Sequence, residues 1–214
     1  MRYTLAGGTG AVDENIAWTY NSLSVDVKAA LKSMEHEMMY NDANSNWGHR
    51  YNILTPLHNE IAIGVAADNN NVYLVEDFEN NYVQWNTLTA NGSMLNMDGS
   101  FTQTNFTIQQ VEIWYDNPSN LTVQQLSNAP YNGAYDQGTF AGMVLPEGWQ
   151  SDEGITITAN TWNQNGQNFQ INFDLTNAFN LYGKGVYTLS LQTNIASTNT
   201  QDNSFTTYSL WYAG

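Results

Sequence analysis

Apolar residues at Val27, Leu31, Met34 and Met38 follow the spacing i, i+4, i+7 and i+11, which draws one stripe along an α-helix. Ser24 is placed to cap it, Asp26 lies in the first turn, and neither Gly nor Pro interrupts before Asp42, so residues 24–42 are predicted helical. At roughly 100° per residue, Ala30 and Glu37 share one shoulder of the stripe, Glu35 takes the other, and His36 points to solvent. The methionines read as core packing. Residues 1–13 read as an extended glycine-rich approach, 13–18 as a polar turn before a short buried segment, and 41–46 as a polar loop. From residue 57 the period changes. Ile61, Ile63 and Val65 alternate with small residues, Asp68–Asn71 supplies a turn, and Val72–Val75 resumes, which predicts a β-hairpin over 57–79. His58 reads as a surface residue on the loop before it.

Beyond residue 80 helical periodicity gives way to short β runs separated by Asn, Gly, Ser and Pro. The runs are 94–97, 104–115, 138–145, 154–163, 167–175, 185–194 and 204–212, and Leu121–Leu126 reads as a short helical or irregular turn. Several alternate strictly, as in Val111–Tyr115 and Phe169–Phe173, so each would bury one face and wet the other. The expected organisation is an α+β part over 1–80, a linker over 81–91 and an all-β sandwich over 92–214.

Composition narrows the partners. Lys and Arg total 5 against 20 Asp and Glu, a formal charge of −15, which argues against nucleic acid and anionic membrane surfaces. No apolar run reaches the roughly 20 residues needed to span a bilayer, so membrane insertion is not expected. Charged residues make up only 12%, and the neutral polar surface that replaces them suits a secreted or cell-surface β protein. Cysteine is absent, so stability rests on burial and hydrogen bonding. Asn91, Asn105 and Asn120 head glycosylation sequons. The Gly7–Gly10 stretch lacks the strand–loop–helix setting of a phosphate loop, and Asp152–Gly154 reads as a turn.

Three elements then carry a resemblance. Asp13-Glu14-Asn15-Ile16-Ala17, Gly48-His49-Arg50-Tyr51-Asn52-Ile53-Leu54, and the hairpin Glu60–Val65 with Val72–Phe78 occur in order. Over residues 10–80 they resemble the CAP superfamily of cysteine-rich secretory, antigen 5 and pathogenesis-related-1 proteins. The resemblance implies a partial CAP-like α/β/α sandwich and a cleft gathering Glu14, Glu37 and His49, able to hold a divalent cation such as Zn²⁺ or Ca²⁺. The family's second cleft histidine has no counterpart in residues 1–13, and Asp13 stands where the family has Gly, so an N-terminally incomplete CAP-like domain is expected. The functional expectation is an extracellular or cell-surface binding or adhesion module whose partners are other copies of itself, surface proteins or glycans. A structural subunit of an extracellular polymer or surface layer is the alternative. A metal-dependent hydrolase with His49 as base is a third reading, and no Cys or G-x-S-x-G nucleophile accompanies it.

Overall fold

The computed structural model describes residues 2–117, 138–194 and 204–214. Their elements in chain order are α1 (Arg2–Leu5), β1 (Ala11–Tyr20), α2 (Val27–Tyr40), a 3₁₀ turn (Asp42–Ser45), α3 (Gly48–Leu54), β2 (Glu60–Ala67), β3 (Asn71–Asn80) and β4 (Val83–Asn91). Then follow β5 (Met94–Phe101), β6 (Ile108–Asp116), β7 (Thr139–Leu145), β8 (Ile155–Thr158), β9 (Thr161–Asn165), β10 (Asn168–Asp174), α4 (Thr176–Tyr182), β11 (Gly185–Thr193) and β12 (Ser204–Tyr212). The turn expected at Leu121–Leu126 lies outside the described residues. Two compact units result. Among the described residues, the first spans Ala11–Asn81, and the second combines those up to Gly10 with those from Tyr82 onward.

Strand accounts for 52% of the described residues and helix for 19%, in three sheets, so the chain is β-rich. This corrects the expected α+β class with a leading α/β/α sandwich. The first unit is a three-stranded antiparallel sheet in the order β1-β3-β2. Its helical packing is on one side only: Ala30, Met34 and Met38 of α2 bury Val72 and Leu74 of β3, with Ala17, Leu31 and Ile53 closing the edges. On the other side Ile16, Trp18, Tyr20 and Tyr73 stand exposed. The reading failed at residues 13–18 because β1 carries its large apolar side chains outward and its Asn15 inward, which inverts the usual signal of a half-buried strand.

Helix α2 begins later than expected. Asp26, not Ser24, is its cap, accepting a hydrogen bond from the Ala29 amide at 3.0 Å. The hairpin forms as read, with Asp68 Oδ1 accepting from the amides of Asn70 and Asn71 at 2.8 Å.

The second unit packs the sheet β4-β5-β10-β9 against the sheet β12-β11-β6-β7-β8. Phe101, Phe106, Phe169 and Phe205 meet at its centre with ring centroids 4.5–6.2 Å apart. Tyr187, Phe173, Leu95 and Met97 are fully buried around them. Two run boundaries differ from the sequence reading. Residues 81–91, expected as a linker, contain β4, paired along its length with β5. Residues 154–163 split into β8 and the start of β9, which belong to different sheets, so the chain crosses the sandwich at Ala159–Asn160. Residues near the start of the chain strap β12: the Thr207 amide donates to Gly10 O, and the Ser209 amide to Thr4 Oγ1.

Candidate functional site

The chemistry gathers around α3 in the first unit. The chain enters α3 through two left-handed residues, Asn46 at φ 52° and Trp47 at φ 64°. Neither is glycine, so local strain is held there by surrounding contacts. Three of these are in place: the Trp47 amide donates to Asp42 O, the Arg50 guanidinium lies 5.5 Å over the Trp47 ring, and the Arg50 amide donates to Asp42 Oδ2 at 3.2 Å. Asp42 therefore sits with its carboxylate at the start of α3, where helix amides favour an anion.

The other oxygen of Asp42 meets His49 Nδ1 at 2.6 Å. Asp42 is 5% exposed. Burial opposes its ionisation, but the hydrogen bonds from His49, the Arg50 amide and Ser45 outweigh it, so its pKa lies below the usual carboxylate range. A charged Asp42 fixes the His49 proton on Nδ1 and leaves Nε2 as a lone-pair donor. Asn15, 1% exposed, completes the frame: its Nδ2 donates to His49 O at 3.1 Å, and its Oδ1 accepts from Asn52 Nδ2 at 2.9 Å. Strand β1 thus pins both ends of the first turn of α3.

His49 and Glu37 line one cleft of about 370 Å³ with Ala17, Met34, Met38 and Asp42. Glu37 accepts a hydrogen bond from Asn41 Nδ2 at 3.0 Å. Glu14 stands elsewhere. It pairs across the sheet with Asp77 on the face away from the helices, while its neighbour Asn15 points in. The structure therefore brings together two of the three expected cleft residues, Glu37 and His49, and adds Asp42. Among the described residues no group of three or more His, Asp or Glu converges as a metal cluster.

Glu76 is the second titratable feature. It is 5% exposed on the helix-facing side of β3. Burial first, then the neighbouring Glu35 carboxyl, push its pKa up to about 7, against the opposing pull of Asn15 and His49. Its Oε2 is buried without a hydrogen-bond partner. A charge at an inward position between Leu74 and Phe78 was a legible signal, as was Asp42 seven residues before His49; neither was weighed from the sequence. His36 is exposed, as its place on the helix implied. His58, read as a surface residue, is not one: its side chain is 6% exposed, its Nδ1 lies 3.0 Å from Asn80 Oδ1, and its ring stacks on Phe78.

In the second unit a larger hollow of about 500 Å³ is lined by Ser93, Thr176, Phe179, Asn180 and Tyr212 among others, with no carboxylate or imidazole. Asn91 and Asn105 are exposed there, and Asn120 lies outside the described residues. No known family model matches the chain, and no curated protein matches it. The CAP-like reading rests on the motif residues alone.

Proposed function

We propose that the protein is a secreted or cell-surface binding module whose first unit holds a divalent cation at His49 and Glu37, carried on a β-sandwich. The single observation behind this reading is the His49–Asp42 pair at 2.6 Å on the wall of the cleft. Ligating histidines commonly give their second ring N–H to a carboxylate, which fixes the tautomer and strengthens the donor nitrogen. His49 Nε2 and a Glu37 oxygen suit a borderline cation of the Zn²⁺ type, with water or a ligand group filling the remaining positions. The low count of Lys and Arg and the neutral polar surface support an exported protein. The three motif elements shared with the CAP superfamily support the same site, although Glu14 stands on the other face.

The test is calorimetric titration of Zn²⁺ into the purified chain, alongside His49→Ala and Asp42→Asn. Binding by the wild type is expected, lost in His49→Ala and weakened about 10- to 100-fold in Asp42→Asn, with circular dichroism unchanged. A wild-type chain that takes up no Zn²⁺, or an unaltered affinity in His49→Ala, sinks the proposal.

A further inference from the structure

Strand β1 is an edge of the first unit's sheet and pairs only with β3. Their register runs unbroken from Ala11↔Asn80 to Tyr20↔Asn71. The Asn21 amide continues the ladder by donating to Asn70 O at 2.8 Å. Hydrogen-bonded and non-hydrogen-bonded pairs alternate along an antiparallel ladder, so the odd-numbered residues of β1 give their backbone groups to β3. Ile16 and Trp18 therefore turn their N–H and C=O toward the open edge, and among the described residues no group meets them. The side chains of Ile16, Trp18 and Tyr20 flank this edge, each more than half exposed. Sheets ordinarily blunt such an edge with Lys, Pro, a bulge or a short strand. β1 is ten residues long and has no Lys, no Pro and no break in register.

The helix above the edge selects the occupant. α2 packs on Ala17 of β1 and on Val72 and Leu74 of β3, so it lies over the line between those strands. Strands are about 4.8 Å apart, which sets that line about 2.4 Å inside β1. A second copy added antiparallel through β1 is related by a two-fold axis normal to the sheet, so both α2 helices stay on one side. Their axes then come about 10 Å apart, at the upper end of the roughly 8–10 Å of packed helices. The α2 side chains along this seam are those that line the cleft, and Ala30 and Ser33 among them are small. Pairing through β2, the opposite edge, would leave the helices about 19 Å apart and out of contact.

Charge and size set the register. With Ala17 on the axis, Ile16 lies opposite the partner's Trp18, and Glu14 opposite the partner's Tyr20. Apolar side chains that stand exposed on one chain then cover each other, and no carboxylate faces another across the new pair. The small Ala17 side chains meet beneath the two helices. We infer that the protein dimerises through β1, joining two three-stranded sheets into one of six strands with α2 packed against its counterpart. This goes beyond the cation reading and does not depend on it.

The full chain is tested with chelator present, so the outcome is independent of bound metal. Sedimentation velocity is expected to show a dimer at about 50 μM. Ile16→Asp should weaken it at least about tenfold with circular dichroism unchanged, because Ile16 is exposed. The chain has no cysteine, so one introduced residue reports the register. Residues facing each other in a non-hydrogen-bonded pair have Cα atoms about 4.5 Å apart, within disulfide reach. Under mild oxidation Ala17→Cys is expected to become a disulfide-linked dimer, and Ala62→Cys, on β2, to stay reduced. The inference is overturned by a monomer up to about 200 μM, or by a dimer that Ile16→Asp leaves intact. Cross-linking at Ala62→Cys that matches or exceeds that at Ala17→Cys also overturns it.

Discussion

Replacing Glu76 with Gln removes a carboxyl whose ionisation the fold opposes. In the folded chain its pKa is about 7 rather than the ordinary 4.5. The folded state therefore binds more protons than the unfolded state between those two values. Stability from this group is complete below about pH 4.5, falls as pH rises through the window, and is fully lost above about pH 7. At about 1.36 kcal/mol per pH unit the whole displacement corresponds to roughly 3 kcal/mol. Glu35, the second cause of the displacement, is itself exposed, so solvent screens part of this, and we expect about 1–2 kcal/mol to survive. Gln has nearly the shape of the protonated acid and does not titrate. The assay is urea unfolding of wild type and Glu76→Gln, followed by circular dichroism, at several pH values from 4.5 to 8. The other carboxylates titrate in both proteins, so the difference between the curves isolates Glu76. Glu76→Gln should gain about 1–2 kcal/mol on wild type as pH rises. Curves that stay parallel within about 0.3 kcal/mol would refute the reasoning, because Glu76 would then ionise at the same pH folded and unfolded.

Asn15→Ala removes the bridge between His49 O and Asn52 and should cost about 2–3 kcal/mol, with faster amide exchange across α3 measured by NMR. Gly142→Ala places a methyl group against Ile155 O at a φ of 153°, so it should cost more than about 2 kcal/mol and weaken the β7–β8 pairing, checked by thermal unfolding. Asp26→Ala should cost about 1 kcal/mol through loss of the α2 cap, read from the urea midpoint.

Much of the secondary structure was legible because it depends on neighbours a few residues apart. Met34 and Met38 of the α2 stripe are buried, although Val27 is exposed and Leu31 half-buried, the Asp68 turn forms, and the alternation in β6 and β10 buries the positions its period marked. Errors came where an element answers to something distant. Trp18 and Tyr20 face outward on β1, so that strand was hidden behind an inverted pattern. Residues 48–54 stood out only as a motif, yet Gly48 begins a helix whose first turn is anchored by Asn15, thirty-four residues upstream of His49. His58 looked solvated beside Asn59, and the ring of Phe78 from β3 covers it.

The cleft shows the same division. Helical geometry alone put Glu37 on the shoulder of the α2 stripe, and the cleft lies there. Glu14 and Asn15 are adjacent in sequence, and only strand pairing decides which of them turns toward the helices. In an extended chain successive side chains point to opposite faces, so one residue of register separates a framework group from an outward carboxylate. The sequence by itself determined the α2 helix, the β2–β3 hairpin and several strands of the second unit, the acidity of the composition, and His49 as the centre of interest. Tertiary structure decided that Asp42 orients that histidine, that Glu76 is buried beside Glu35, and that β2 lies uncovered. Each of those depends on which segments lie side by side, and that is settled by packing across the sheet rather than by local preference.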